Sequence, residues 1–137
     1  HWFATEEALG EIARVMSPGG YLALIWNRRD LAQPLQAELT RIMAPYRKDT
    51  PTHEDGSWRA AMSASHLFEF VSEDHLGFEQ VLTAQGLADR VVSTSFMANL
   101  PPSELDRVGA EVRALVPEGD SFVVARYDCE AYLYRRA

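Results

Sequence analysis

Polar side chains able to contact a ligand gather where an apolar run of the sequence ends. Residues 21–26 are continuously apolar, and Asn27-Arg28-Arg29-Asp30 follow them directly. In open α/β sheets, ligands bind beyond the carboxyl ends of the strands. If residues 21–26 form such a strand, the end of this run is the first place where a binding site is expected.

The spaced motifs that identify metal, nucleophile or phosphate sites are absent from the sequence. There is no CxxC and no HExxH, so no dedicated metal site is expected. Cys129 falls inside a predicted strand, where a buried and inert thiol is expected rather than a nucleophile. Gly19-Gly20 lie in a Pro-containing turn, with no GxGxxG or Walker pattern around them. Motifs alone therefore indicate an α/β domain and identify no catalytic residue.

Length and charge narrow the class of protein. The chain has 137 residues, of which 47% are hydrophobic and 24% charged, and its formal net charge is −7. This size predicts one domain, and the negative charge argues against a nucleic-acid partner, because such partners require basic patches. No apolar run reaches the roughly 20 residues of a membrane helix, so no membrane partner is expected. The single cysteine excludes an internal disulfide and favours a cytoplasmic location.

Hydrophobic periodicity predicts alternating helices and strands. Helices are predicted at residues 5–16, from Pro34, near Trp58, at 83–91 and from Pro101-Pro102. Strand-like runs are predicted at residues 21–26, 67–70, 75–82 and 122–134, and residues 45–57 are predicted to form a loop. The run at 21–26 is typical of a strand that is buried on both faces. The run at 122–134 alternates, with odd-numbered apolar residues on one face and even-numbered, mostly polar or aromatic residues on the other.

Several segments, in this order, resemble one protein family. They are His1-Trp2-Phe3, the stretch RVMSPGGYLAL at residues 14–24, residues 78–87 and the strand at 122–134. Together they resemble the second half of a class I methyltransferase that uses S-adenosylmethionine (SAM), in the branch that acts on small molecules. The stretch at 14–24 is moderately specific alone, and the ordered set is more specific.

The resemblance implies a fold class, which is α/β. The chain would form the C-terminal portion of a Rossmann-like class I methyltransferase fold, with three main strands and about four helices. Residues 21–26 would be the family's fifth strand and residues 78–82 its sixth. The seventh, residues 122–134, would insert antiparallel between them. Residues 1–137 would then be a single partial domain with a variable lid or substrate region at about 31–75, and we expect the chain to be a piece of a longer protein.

The resemblance also implies where the methyl donor and the acceptor would lie. The residues that would border the SAM pocket are His1, Trp2 and Phe3. The residues that would border a small-molecule acceptor are Trp26, Asn27 and Arg29, at the end of the fifth strand, and Trp58, in the variable region. Packing at the helix entry is the alternative for Trp2 and Phe3, and a solvated turn is the alternative for Arg29.

The expected activity is SAM-dependent methyl transfer to a small molecule, but the family's glycine-rich SAM loop does not occur in these residues. We therefore expect the 137 residues alone to bind SAM poorly and to transfer no methyl group. The alternative is a non-catalytic methyltransferase-like domain for binding or dimerisation. The strand at 21–26 would be an exposed edge, so a homodimer or a swapped assembly is expected. The acceptor, the methylated atom and the general base are not identified.

Overall fold

A computed structural model describes residues 1–137, the whole of the sequence. The helices are α1 (Glu6–Val15), α2 (Pro34–Arg47), a 3-10 helix (His53–Asp55), α3 (Ser57–Ala64), α4 (Ala84–Val92) and α5 (Pro102–Arg113). The strands are β1 (Tyr21–Arg29), β2 (Phe68–Leu82) and β3 (Val123–Arg136). The α/β class is confirmed, with five α-helices where about four were predicted. None of these helices has the length and apolar character needed to cross a membrane.

The three strands form one sheet in the order β1-β3-β2. The Arg136 N–H donates to the Gly20 carbonyl at 2.8 Å, and the Asp30 N–H donates to the Arg126 carbonyl at 3.1 Å. Because residue numbers fall along β3 as they rise along β1, these two strands are antiparallel. The pairing of β3 with β2 is also antiparallel. The predicted insertion of the last strand between the two earlier ones is therefore confirmed.

The chain divides into two compact units, which we name after their cores. The aromatic unit comprises His1–Asn27, Pro51–Leu76 and Cys129–Ala137. The aliphatic unit comprises Arg28–Thr50 and Gly77–Asp128. Each unit is described by itself below.

The core of the aromatic unit is rich in rings. Its buried residues are Leu9, Ala13, Trp58, Met62, Phe68, Tyr132 and Tyr134. Helix α1 forms as predicted, because the Thr5 hydroxyl accepts the Ala8 N–H at 3.2 Å and caps its first turn. Its apolar stripe turns Leu9 and Ala13 into this core.

Strand β1 differs from the prediction in its length and in its burial. It continues to Arg29, so the polar run that begins at Asn27 does not end it. Leu22 and Leu24 pack against the core of the aromatic unit, whereas Tyr21 and Ile25 are each 61% exposed. The prediction that this run is buried on both faces is wrong, because nothing in the chain covers the face on which Tyr21 and Ile25 lie.

Two predicted boundaries are also wrong. The runs at 67–70 and 75–82 are parts of the single 15-residue strand β2, which pairs along the almost equally long β3. Helix α2 continues past Pro45 to Arg47, where a loop was predicted. Tyr46 stabilises this last turn by packing against the aliphatic core, and its hydroxyl lies 3.3 Å from the Glu104 carboxylate.

The core of the aliphatic unit is built from branched and thioether side chains. Its buried residues are Leu39, Ile42, Met43, Leu87, Ala88, Val91, Met97, Val108 and Val112. Helices α2, α4 and α5 supply most of them, at the apolar spacings from which these helices were predicted. Thr83 caps α4 by accepting the Gly86 N–H at 3.0 Å.

The buried positions of β3 change parity along the strand. Ala125 and Tyr127 are buried in the aliphatic unit, whereas Glu130, Tyr132 and Tyr134 are buried in the aromatic unit. The alternation that predicted the strand is present. However, odd-numbered residues are buried in the first part of the strand, and even-numbered residues are buried in the second part. As a consequence, the polar-looking face carries Glu130 and Tyr132 into the interior of the aromatic unit.

Candidate functional site

Five ring side chains of the aromatic unit form a contiguous group, which we call the ring cluster. Its members are His1, Trp26, His53, Trp58 and Tyr132. The ring centroids of Trp26 and Trp58 are 4.6 Å apart, and those of Trp58 and Tyr132 are 4.8 Å apart. The His53 imidazole stacks on Trp26 at 5.4 Å with an interplanar angle of 11°. These separations are in the range in which aromatic pairs attract one another.

Local hydrogen bonds hold His53 in the ring cluster. The Trp58 indole N–H donates to the His53 carbonyl at 2.8 Å. The Asp55 carboxylate accepts the Ser57 N–H at 2.8 Å, and the hydroxyl and N–H of Ser57 lower the pKa of this carboxyl. Gly56 takes the left-handed conformation (φ 74°) that joins the 3-10 helix to α3. The segment that carries His53 is therefore ordered by its own short-range contacts.

A buried carboxylate, Glu130, lies against the ring cluster. Only 5% of this residue is exposed. The Tyr132 hydroxyl donates to its Oε2 at 2.9 Å, and His53 Nε2 lies 3.9 Å from the same oxygen. Burial, followed by the hydrogen bond to Glu130, raises the pKa of Tyr132 to about 12, so this hydroxyl stays protonated at neutral pH. An interior carboxylate requires such donors, because transfer out of water disfavours its charge.

Arg59 covers the outer side of the ring cluster. Its guanidinium carbon lies 4.6 Å from the centroid of the Tyr132 ring and 5.0 Å from that of Trp58, which is cation–π geometry. It also forms a 3.2 Å ion pair with Glu73. The hydrogen bond from His75 and that from Arg59 lower the pKa of Glu73, which is therefore ionised at neutral pH.

An open groove of about 500 Å³ begins at Arg59. Its lining residues are Arg59, Met62, Ser63, Phe68, Phe70, Glu73 and Tyr134. Pockets for small organic molecules are typically of this volume and combine apolar walls with a few polar groups. The groove can thus take a small molecule whose apolar body lies on the Phe side chains.

Three of the seven predicted site residues come together in the ring cluster. The Trp26 indole N–H donates to His1 Nδ1 at 3.2 Å, and Trp58 is buried, with its ring centroid 4.6 Å from that of Trp26. Trp2 is half-exposed, with its ring 5.9 Å from that of His1. Phe3 is 77% exposed.

The other two predicted residues, Asn27 and Arg29, are not part of the ring cluster. Asn27 is an exposed residue of β1. Arg29 belongs to the aliphatic unit, where it lines a cavity of about 80 Å³ together with Arg47, Thr40 and Phe96. The structure therefore places Arg29 and Trp26 in different units, although both are in β1.

Sequence reasoning missed three members of this site. His53 was assigned to a mobile polar loop, and Glu130 and Tyr132 were assigned to the polar face of the last strand. The available signal was that this polar face also carries Tyr132 and Tyr134, since two tyrosines on an otherwise charged face indicate a buried surface.

Comparison with known proteins shows that this chain has relatives that are named methyltransferases or methyltransferase-like. The chain is 38% identical over 112 residues to an uncharacterised methyltransferase-like protein of Schizosaccharomyces pombe, covering 82% of this chain and 43% of that protein. It is 31% identical over 116 residues to an uncharacterised methyltransferase of Mycobacterium bovis, covering 85% of this chain and 44% of that protein. The chain thus spans less than half the length of these relatives. No family model matches the sequence.

Among solved structures, a crystal structure of a presumed methyltransferase from Bacillus halodurans is similar to this chain with a TM-score of 0.41 and 14% sequence identity. The match covers 93% of this chain and 61% of that chain. The resemblance to part of a methyltransferase is confirmed by the relatives, which are named methyltransferases or methyltransferase-like and align with most of these residues. Over most of its length, this chain is a homologue of part of a methyltransferase.

Proposed function

We propose that this chain is part of a methyltransferase that uses SAM and methylates a small molecule. The observation that carries the proposal is the ring cluster, in which His1, Trp26 and Trp58 meet beside the buried Glu130 carboxylate. Homology to proteins named methyltransferases supports the reaction class. The donor, the acceptor class and the roles of individual residues are the proposed part.

The residues present fit a sulfonium donor. The sulfonium of SAM is a cation, and cations are stabilised by the faces of aromatic rings and by nearby carboxylates. The ring cluster offers the Trp26 indole and the buried Glu130 in one place. His1, Trp2 and Phe3 would border the donor, which supplies an electrophilic methyl group when bound.

The chain's own residues would act mainly by positioning. Methyl transfer depends on holding the acceptor atom in line with the methyl group and on excluding water. Trp26 and Trp58 would supply the dry, rigid wall of the acceptor site, and the neighbouring groove has the volume for a small molecule. Asn27 and Arg29 would orient polar groups of the acceptor.

The 137 residues alone are proposed to bind SAM poorly and to be inactive, because they contain no glycine-rich loop and match less than half of each relative. Calorimetry with SAM tests this directly. The chain alone should show no micromolar binding. A chimera in which these residues replace the matched segment of the Schizosaccharomyces pombe relative should bind SAM as the unmodified relative does.

A substitution in the chimera tests the role of the ring cluster. Trp26→Ala should weaken SAM or acceptor binding about tenfold, because it removes the central ring of the cluster. The matched control is Tyr21→Ala, which lies on the exposed face of the same strand and should have no effect. Micromolar SAM binding by the chain alone would contradict the proposed inactivity. A folded chimera without SAM binding, beside a relative that binds it, would favour a non-catalytic methyltransferase-like domain instead.

We also propose how the chain is organised and what it meets. Residues 1–137 form one partial methyltransferase domain whose variable region, about 31–75, borders the acceptor. The net charge of −7 supports a small molecule rather than a nucleic acid as the partner, and the single cysteine supports a cytoplasmic location.

Assembly through the free edge of β1 is the last part of the proposal. The free edge of this strand leaves backbone groups unpaired, so pairing with a second copy would satisfy them. Light scattering should therefore show a homodimer or a swapped assembly. A monomer that persists at high protein concentration would rule this assembly out.

A further inference from the structure

We propose that His53 takes the proton of the methyl acceptor and that Glu130 is the residue that positions His53 and stabilises its protonated form. The inference rests on the proposed function and deepens it, since it implies an acceptor atom that carries a proton, as a hydroxyl or amine does. Neither residue was singled out by any sequence motif.

The geometry of the pair is that of an imidazole beside a buried anion. His53 Nε2 lies 3.9 Å from Glu130 Oε2, and the two side chains are only 16% and 6% exposed. A carboxylate at this distance stabilises the protonated imidazole, and the shielding from water makes that effect larger than at the surface. The stacking of His53 on Trp26 fixes the plane of the imidazole in the ring cluster.

Tyr132 fixes the carboxylate. Its hydroxyl donates to Glu130 Oε2 at 2.9 Å, so the oxygen near His53 is held by a neutral donor. The remaining charged or titratable neighbours come from several elements. A ring nitrogen of His75, in β2, lies within 4.8 Å of a Glu130 carboxylate oxygen. Asp128 precedes Glu130 by two residues in β3. The His1 ring centroid lies 6.4 Å from that of His53, and Arg59 lies across the Tyr132 ring. Glu54 and Asp55 follow His53 in its own 3-10 helix.

His75, which also lies near Glu130, forms a second histidine–carboxylate pair with Glu73. Its Nε2 lies 3.2 Å from a carboxylate oxygen of Glu73, but the two side chains are 47% and 34% exposed. Solvent therefore screens that pair, whereas the pair of His53 and Glu130 is largely shielded. Contact with the ring cluster and shielding from water occur together at His53.

The proton step balances without a further reactant. The O–H or N–H bond of the acceptor breaks, its proton forms a bond with a nitrogen of neutral His53, and the electron pair of the broken bond stays on the acceptor atom. That pair is then available to bond to the methyl carbon. The imidazolium that results is stabilised by the Glu130 carboxylate and later gives its proton to water.

The first experiment measures the titration of the His53 ring by NMR in the full chain, without donor or acceptor. Glu130→Gln keeps the shape and the Tyr132 contact but removes the negative charge, so the His53 titration midpoint should fall by about one pH unit. Tyr132→Phe removes the neutral donor and concentrates the charge on the carboxylate, so the midpoint should rise. The matched control is Glu69→Gln, a carboxylate of the same unit that pairs with Arg135 instead.

An unchanged His53 midpoint in both Glu130→Gln and Tyr132→Phe would overturn the coupling between His53 and Glu130. If Glu130→Gln unfolds the chain, Tyr132→Phe carries the test, because the expected rise requires the intact carboxylate.

The second experiment uses the SAM-binding chimera with tritium-labelled SAM and a panel of small hydroxyl and amine acceptors. His53→Gln should lower methyl transfer about 100-fold while changing the SAM dissociation constant less than about threefold. Glu130→Gln should move the acid limb of the pH–rate profile to lower pH, because the base then loses its proton earlier. A purely structural pair would leave that limb in place.

The two failures can be told apart. Transfer that is unchanged in His53→Gln would refute the role of His53 and leave the proposed function standing. A chimera that does not bind SAM would instead count against the proposed function. The NMR titration would still decide whether Glu130 raises the titration midpoint of His53.

Discussion

The cores of the two units use different side chains for the same purpose of excluding water. The aliphatic unit buries Leu39, Leu87, Val108 and Val112 almost completely, with Gln36 as its buried polar residue. The aromatic unit buries residues with polar tips, and the acidic residue in its interior is Glu130. Aliphatic side chains need only complementary shape, whereas a buried indole, phenol or carboxylate also needs a hydrogen-bond partner.

This difference in side-chain type determines which unit holds buried titratable groups. Partner requirements in the aromatic unit force specific pairs, such as the Trp58 indole on the His53 carbonyl and the Tyr132 hydroxyl on Glu130. The same pairs leave a titratable imidazole beside a buried carboxylate. We therefore expect substitutions of core residues in the aliphatic unit to change stability equally at every pH. Substitutions of the buried titratable residues of the aromatic unit should change stability in a way that depends on pH.

The largest effect is expected from a cavity in the aliphatic unit. Leu39→Ala should lower the free energy of unfolding by about 3 kcal/mol, because the fully buried leucine loses both its transfer energy and its packing. Urea denaturation at several pH values measures this, and the loss should be the same at each pH. The matched control in the same unit is Leu31→Ala, where the side chain is 55% exposed and a change within about 0.5 kcal/mol is expected. A loss that varied with pH would break the contrast between the units.

An intermediate effect is expected at high pH in the aromatic unit. The pKa of Tyr132 is 10.0 in a free tyrosine and is raised to about 12 here, chiefly by burial. A raised pKa means that the unfolded chain loses this proton first, so the stabilisation is fully present below pH 10.0 and is lost as the pH rises to about 12. The loss should be of order 2 kcal/mol.

Urea denaturation across that range tests this expectation in wild-type protein, Tyr132→Phe and the control Tyr21→Phe. The steep alkaline loss should be smaller in Tyr132→Phe and unchanged in Tyr21→Phe, whose ring is exposed. Burial also raises the pKa of Tyr134, so a weaker alkaline loss should remain in Tyr132→Phe. Identical curves for all three proteins would show that the Tyr132 hydroxyl is not the buried donor described above.

The smallest effect is expected from the removal of a helix-capping hydroxyl, which can be compared between the two units. Thr5 caps α1 in the aromatic unit, and Thr83 caps α4 in the aliphatic unit, each through its hydroxyl and a backbone N–H. Thr5→Ala and Thr83→Ala should each lower the free energy of unfolding by about 1 kcal/mol. Replacement of either threonine by serine keeps the hydroxyl and should restore most of the loss. Unequal losses would show that one helix depends on its cap more than the other.

Most of the fold could be predicted because its signals are local. Helices α1 and α4 are bounded by capping threonines and carry apolar stripes, and both were located to within about two residues. The order of the strands could not come from periodicity, and it followed only from the resemblance to a family. The burial of β1 was mispredicted, because six consecutive apolar residues report what a strand could bury rather than what this chain supplies to cover it.

The candidate site was predictable only in part, because it joins residues that are far apart in the sequence. Trp26 and Trp58 were predicted from the family resemblance, which puts the end of the fifth strand and a variable region beside the acceptor. His53 and Glu130 are separated by most of the chain, and each looks like an ordinary surface residue. Only the pairing of strands and the packing of α3 reveal that they meet.

The change of parity along β3 constrains how this strand can vary. The buried face of β3 changes between Tyr127 and Glu130, which are three residues apart. The spacing between them must therefore remain an odd number of residues. Adding or removing one residue here would rotate either Tyr127 or Glu130 out to solvent, together with every second residue beyond it. The segment between them therefore acts as a phase marker: its letters can be exchanged, but its length cannot be changed by one. An insertion scan along β3 would find its least tolerant point at these two positions, in the middle of the strand rather than at its ends.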